Sequence, residues 1–251
     1  PISDEGGLMF PIIPANSVTA VSGNENGIFG YGAPSEVSMT NHVANTGVVS
    51  SDVTGVGTGK ENVSACGYGG DKGIFGWGGT EPYTNLVSNT GVVASDVTGL
   101  GTARSCAACE FGGDQGIFGY GAGSYFSTTN LVSNAGVIAS DTAGVGTARS
   151  ALAACSFGGD QGIFGYGSDA SGSLSMTNLV SNTGVASSDV TGVGTARVSL
   201  AACEFGPGQG IFAYGQSTLN MSNLVSNTGV VSSDVAGVGT GRYYMAACSF
   251  N

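Results

Sequence analysis

Gly27-Ile28-Phe29-Gly30-Tyr31-Gly32 opens a pattern that returns four more times along the 251 residues of the chain. The later copies begin at residues 73, 116, 162 and 210, so the steps between copies are 46, 43, 46 and 48 residues. An Asn-rich block follows each time, typified by Asn178-Leu179-Val180-Ser181-Asn182-Thr183-Gly184-Val185. Five copies at so regular a period indicate a repeat architecture that covers nearly the whole chain.

Each copy continues with an acid, a Gly-Val-Gly-Thr or Gly-Leu-Gly-Thr turn, and one cation. These acids and cations are Asp52 and Lys60, Asp96 and Arg104, Asp141 and Arg149, Asp189 and Arg197, and Asp234 and Arg242. The chain has only 6 Lys and Arg, so five of them hold this one repeated position. The placement predicts an ion pair or hydrogen-bond staple within or between repeats. A cation held by the Asp residues is the alternative.

The local pattern predicts strands and turns. No copy contains a helical stripe of ten residues, and glycine, serine, threonine and valine are frequent. In the fourth copy we expect strands over 152–157, 162–167, 175–181 and 185–190. Four antiparallel strands in each of five copies predict an all-β fold, a single five-bladed β-propeller. The propeller would span residues 23–251, with repeat units starting near 23, 69, 112, 158 and 206. A right-handed β-solenoid with two coils per copy is the alternative fold prediction.

The first strand of the unit has one copy too many for a ring of five blades. Residues 18–22 align with this strand, and Met245-Ala246-Ala247-Cys248-Ser249-Phe250 repeats it at the other end. The second match is the better one, which predicts that the C-terminal strand closes the ring. Residues 1–22 then form an N-terminal arm or a surplus strand. Its apolar residues, which would dock on the chain itself or on a neighbouring subunit, are Met9, Phe10, Ile12 and Ile13.

Aromatic residues supply the candidates for packing and for ligand binding. One Phe per copy is expected to pack between neighbouring blades, at Phe29, Phe75, Phe118, Phe164 and Phe212. Two residues later, each copy has a Tyr, or Trp77 in the second copy. We expect these rings to lie on the same strand face as the Phe residues, with the Tyr hydroxyls bonded across blades. Trp77 breaks the series, which suggests that this position reaches the surface. The candidate ligand-binding residues, three of them in loops that differ between copies, are Trp77, Tyr83, Tyr125 and Phe126.

Composition and missing motifs exclude several functions. A net charge of −11 argues against nucleic-acid binding, and no run of 18 apolar residues exists for membrane insertion. The repeated cysteines predict buried, reduced thiols without a metal or other cofactor. His42 occupies a slot that holds Leu elsewhere, and no catalytic motif occurs. We therefore expect that the protein is not an enzyme, with a glycosidase that uses two nonequivalent carboxylates as the least favoured alternative.

The order of the repeat resembles the kelch type, in which an Arg precedes an Ala-rich strand, a Gly-Gly turn and an Ile-Phe-Gly-Tyr-Gly strand. Kelch repeats differ in carrying the double glycine after their second strand and a late Trp. The repeated sequence from Thr-Asn-Leu-Val-Ser-Asn to Gly-Val-Gly-Thr-Ala-Arg is similar to repeats in proteins of marine bacteriophages and other environmental viruses.

The viral resemblance implies a non-enzymatic virion-associated structural, decorating or adhesion protein, made in the host cytoplasm. Its partners would be other virion proteins or itself, through the N-terminal arm. A lectin-like propeller with repeated glycan sites on or between blades is the alternative function.

Overall fold

The computed structural model describes residues 26–249, and this part of the chain contains seventeen β-strands and no helix. Every strand pair is antiparallel. Short runs of apolar and β-branched residues alternate with Gly-rich turns, which favours hairpins over helices. The predicted all-β class is confirmed.

Five sheets follow one another in chain order, with strand bounds as follows. The first sheet consists of β1 (Gly27–Gly32) and β2 (Val37–Val43). The second consists of β3 (Ser64–Tyr68), β4 (Lys72–Gly76), β5 (Tyr83–Val87) and β6 (Val97–Thr98). The third consists of β7 (Ala107–Phe111), β8 (Gln115–Gly121) and β9 (Phe126–Val132). The fourth consists of β10 (Ala153–Phe157), β11 (Gln161–Gly165) and β14 (Thr177–Val180), beside a small hairpin of β12 (Ser168–Asp169) and β13 (Gly172–Ser173). The fifth consists of β15 (Ala201–Phe205), β16 (Gln209–Gly215) and β17 (Leu219–Val225).

The fourth predicted strand of each unit is only partly formed. In the fourth copy, residues 185–190 make single bridges, Val180 to Ala186 and Thr177 to Val190, instead of a continuous ladder. Among residues 26–249, only the second sheet has a fourth strand, the two-residue β6. This segment lies at the outer edge of each sheet, where backbone groups can bond to water, so a full ladder is not required there.

The sheets stack so that equivalent strands lie next to each other. The first strands β3, β7, β10 and β15 pack in that order. Backbone bonds join the hairpin tips of neighbouring sheets, from Gly69 N to Asp114 O at 2.6 Å and from Gly112 N to Asp160 O at 2.7 Å. Separate apolar clusters fill the spaces between the second and third, third and fourth, and fourth and fifth sheets. The core is therefore a series of joints between consecutive sheets.

The two ends of this stack do not meet within the part of the chain that the structure describes. No hydrogen bond or ring contact joins the first sheet to the fifth among residues 26–249. Residues 241–249 belong to no strand, and β1 pairs only with β2 among these residues. A five-bladed ring closed by the C-terminal strand therefore stays a prediction. The proposed arm, with Met9, Phe10, Ile12 and Ile13, lies outside the described residues.

Candidate functional site

The repeated Phe residues fill the joints between sheets, as predicted. Phe212 of the fifth sheet lies 5.2 Å from the ring of Tyr166 in the fourth sheet, and both are fully buried. A glycine on the preceding sheet makes room for the ring, because a Cβ placed on Gly165 would lie 2.6 Å from Cζ of Phe212. The same arrangement joins the earlier sheets, with ring pairs Tyr31 and Phe75, Trp77 and Phe118, and Tyr120 and Phe164.

The Tyr series does not share a strand face with the Phe series, contrary to the prediction. Phe118 faces Trp77 of the second sheet, whereas Tyr120 faces Phe164 of the fourth sheet. Tyr120 has a left-handed backbone with φ of 59°, and the strand register shifts there, so the two-residue alternation fails. The Tyr120 hydroxyl donates to the carbonyl of Val145 in its own repeat at 3.0 Å, and the hydroxyls of Tyr31, Tyr166 and Tyr214 do the same in theirs. The expected bonds across blades are therefore absent from this series.

The repeated cation crosses from one sheet to the next. The Arg149 guanidinium stacks on Tyr120 of the third sheet, with Cζ 4.3 Å from the ring centroid. Its Nε donates to the carbonyl of Tyr166 at 2.8 Å, and its Nη2 donates to Oδ1 of Asn178 at 2.6 Å, both in the fourth sheet. Arg149 is fully buried, and Arg104 and Arg197 occupy the same position in their joints. A buried cation with several acceptors is a strong structural link.

From the second copy onward, each repeated Asp completes the joint that precedes it. Asp189 accepts bonds from the backbone N and the hydroxyl of Thr147, at 2.9 and 2.8 Å, and lies 3.7 Å from Nη1 of Arg149. Arg104 faces Asp141 and Arg197 faces Asp234 in the same way. These three Arg residues therefore link consecutive repeats, and each of them faces the Asp of the following copy. The repeated Asp and Arg of the same copy, such as Asp141 and Arg149, form no ion pair among the described residues.

A buried Asn at the centre of each joint is the functional residue that the sequence reasoning missed. Asn178 accepts from Arg149 through its oxygen and donates through its nitrogen to Asp189 at 3.0 Å. The equivalent residues, all fully buried, are Asn85, Asn130 and Asn223. They repeat in every copy as the residue before Leu or His42, and that repetition was the available signal.

These bonds lower the pKa of the joint carboxyls. Burial by itself raises the pKa of Asp189, but the bonds from Asn178 and Thr147 outweigh it and leave the pKa below its ordinary value. The same causes lower the pKa of Asp96, Asp141 and Asp234. The carboxylates are therefore held in the charged form that the joints require.

The candidate ligand-binding residues are scattered. Trp77 is completely buried and stacks on Phe118, so the expectation that it reaches the surface is wrong. Its ring fills the joint between the second and third sheets, where no sugar can reach it. Tyr83 and Phe126 are half-buried, and no ring contact links Tyr83, Tyr125 and Phe126 in the described part of the chain. Of the four candidates, only Tyr125 has an exposed aromatic ring, at 40% exposure.

The remaining reactive side chains have structural surroundings. All six cysteines are free thiols, and burial raises the pKa of Cys109 to about 12. His42 bonds to the carbonyl of Gly91 at 2.8 Å and lies against this glycine, in the same way that Leu86 lies against Gly136 in the next joint. Residues 26–249 contain no group of three His, Cys, Asp or Glu that could hold a metal ion. Over the same range, no helix has the length and apolar character to cross a bilayer.

The two end faces carry the groups that are paired in every internal joint. At the fifth sheet, Arg242 lies 4.6 Å from the ring centroid of Tyr214 and is exposed. At the first sheet, Phe29 is 51% exposed, whereas its four equivalents are buried. A cavity of about 490 Å³ opens beside Tyr214 and Arg242, between the fifth sheet and residues 245–247. No family model and no curated protein matches the chain.

Proposed function

We propose that this protein is a non-enzymatic structural, decorating or adhesion module of a virus particle. One observation carries the structural part of the proposal: at the four joints between the described sheets, the repeated charged residues link one sheet to the next. Arg104, Arg149 and Arg197 are buried at the joints, each beside the Asp of the next repeat. Groups held by so many bonds stiffen the stack and are unavailable for proton transfer. A stiff stack with variable loops suits a protein that displays surfaces.

We also propose that each sheet is a blade of β-propeller type. Three strands follow one another as a meander in the third and fifth sheets, and the first strands of successive sheets pack side by side. These features support the kelch-like interpretation of the repeat. In a five-bladed ring, the face of the fifth sheet would lie against the face of the first.

The viral assignment rests on the resemblance between the sequence of the repeat and repeats in viral proteins. It is tested by raising an antibody against the purified protein and probing particles from the source sample after density-gradient purification. We expect the protein in the particle fractions and immunogold labels on intact particles. Its restriction to soluble fractions, with particles free of label, would contradict the assignment.

Carbohydrate binding is the second candidate, and the exposed ring of Tyr125 is the observation that favours it. Aromatic rings at the surface can stack on sugars, and the loop around Tyr125 differs between repeats. A glycan array with the wild-type protein and with Tyr125→Ala tests this function. Binding that disappears in Tyr125→Ala, but not in Val137→Ala, would support it. An array without any bound glycan would argue against it.

A further inference from the structure

The face of the fifth sheet carries the residues that form one half of an internal joint, and the first sheet carries those that form the other half. In each internal joint, one sheet supplies an aromatic ring, a Thr and a cation, and the next sheet supplies a Phe, an Asn and an Asp. The fifth sheet ends in Tyr214, Thr240 and Arg242, and the first sheet carries the equivalents of the second half, which are Phe29, Asn41 and Asp52. The two faces also carry opposite charges at the joint.

The cavity beside Tyr214 corresponds to the space that Phe212 fills in the preceding joint. Phe212 packs among Ala153, Cys155, Ile163 and Leu200. The residues at the same repeat positions one sheet later line the cavity, and they are Ala201, Cys203, Ile211 and Met245. The Phe at the corresponding position of the next sheet would be Phe29, the one member of its series with an exposed ring.

The backbone of residues 245–249 is also complementary to that of β1. Residues 245–249 repeat the sequence of the first strand but lie in no strand. In the fourth sheet, Ala153 pairs with Gly165 and Cys155 pairs with Ile163. The same register would place Ala246 opposite Gly30 and Cys248 opposite Ile28, on the edge of β1 opposite β2. Adding this strand would give the first sheet the three-stranded meander of the others.

We propose that the fifth sheet of one chain binds the first sheet of a second copy, head to tail. The second copy is the partner because no hydrogen bond or ring contact joins the two faces of one chain among residues 26–249. Thr240 and Arg242 of one copy would then bond to Asp52 and Asn41 of the next, as Thr195 and Arg197 bond to Asp234 and Asn223. Such a contact is heterologous, so it builds open chains or larger rings. This association goes beyond the proposed display function.

One residue makes this joint weaker than the internal ones. The glycine that accepts the Phe ring, at Gly30, Gly76, Gly119 and Gly165, is replaced by Ala213 on the fifth sheet. A Cβ at the four glycine positions would lie 2.4 to 2.9 Å from the ring of the next Phe. Phe29 must therefore sit further out on Ala213 than Phe212 does on Gly165. Association through this face should be reversible.

Light scattering of the full chain over a range of protein concentrations tests the proposal. We expect the mass to rise with concentration, and Phe29→Ala to weaken association roughly tenfold or more. Ala213→Gly should strengthen association, because it lets the ring sit deeper. Val137→Ala, an exposed position in the turn after β9, is the control and should change nothing. A mass independent of concentration, or oligomers unaffected by Phe29→Ala, would overturn the proposal.

Disulfide trapping distinguishes a second copy from closure within one chain. Thr240→Cys and Asp52→Cys are made in separate chains, each with Cys248→Ser because Cys248 is exposed. We expect the mixed chains to form a 240–52 disulfide dimer upon oxidation, and a chain with both substitutions to form a ladder of oligomers. A doubly substituted chain that forms only an internal disulfide would overturn the second copy in favour of the five-bladed ring. The absence of any 240–52 disulfide would overturn the contact itself.

Discussion

At the residue scale, Lys60 is the exception among the buried cations of the joints. Its Nζ donates to the carbonyl of Tyr83 at 3.0 Å and to Oδ1 of Asn85 at 2.7 Å. Arg104, one repeat later, has additional bonds to the carbonyls of Thr102 and Tyr120. A single ammonium group cannot reproduce the spread of donors on a guanidinium. The joint between the first and second sheets is therefore the least bonded of the four.

Lys60→Arg should stabilise the protein by about 1 kcal/mol, because each added bond contributes roughly 0.5 to 1.5 kcal/mol. The free energy of unfolding is measured with urea, and the fluorescence of Trp77, the single Trp of the chain, reports the transition. The reverse substitution in the next joint, Arg104→Lys, is the matched control and should lower stability. A wild-type midpoint above that of Lys60→Arg would contradict this account.

The same residue gives the joint a pH dependence in the alkaline range. Burial lowers the pKa of Lys60 from 10.5 to about 8, although Asp96 and Glu81 oppose the shift. Between these two values the unfolded chain binds more protons than the folded one, so the contribution of Lys60 makes stability rise with pH. Arg in its place stays charged and removes this rise. Unfolding curves from pH 7 to 10 for both proteins give the comparison, and equal slopes would contradict it.

At the scale of the element, the second strand of each sheet has a small residue where the next sheet approaches. Gly165 lies under the ring of Phe212, and Tyr166 directly after it turns its ring to the same neighbour through a left-handed backbone with φ of 63°. One strand thus contacts the next sheet with two consecutive residues. The close approach at Gly165 and the left-handed backbone of Tyr166 together bring both residues into the joint.

Gly165→Ala should destabilise the protein by about 1 to 3 kcal/mol, because the new methyl group collides with the ring of Phe212. Denaturant unfolding again measures the loss. Ala213→Gly, at the same strand position on the fifth sheet, is the matched control and should cost no more than about 1 kcal/mol through backbone entropy. Equal losses in the two variants would show that the joint does not require glycine.

At the scale of the whole molecule, the joints act in series and share one chemistry. Four carboxylates, Asp96, Asp141, Asp189 and Asp234, each accept bonds from the Thr and Asn of their joints. The buried apolar clusters lie between neighbouring sheets and not within single sheets. Protonation of these acids should therefore weaken every joint together.

The protein should lose stability as the pH falls below about 4. The four pKa values are lowered in the folded state, so their stabilisation is complete above the unfolded pKa and is lost as the pH falls through the folded pKa. Asp189→Asn should reduce stability at pH 7 and flatten the loss between pH 5 and 2. Asp169→Asn, in the small hairpin, is the control. Urea midpoints at each pH provide the measurement, and an unchanged slope in Asp189→Asn would contradict the assignment.

The sequence by itself determined the all-β class, the repeated unit, the packing role of the Phe series and the staple between Asp and the cation. Each of these follows from local pattern, since strands alternate over a few residues and the same groups return in five copies. The place of His42 in the fold could be predicted for the same reason, because the other four copies have Leu at the equivalent position.

Only the tertiary structure decided which groups meet. Arg149 faces Asp189 of the next copy because the sheets are stacked one repeat apart, and the bonds of Thr147 to Asp189 span 42 residues. The burial of Trp77 and the turned rings of the Tyr series depend on a left-handed backbone that alternation does not predict. The separation of the two end faces likewise results from the geometry between sheets, and a repeat pattern carries no information on the angle at which its copies stack.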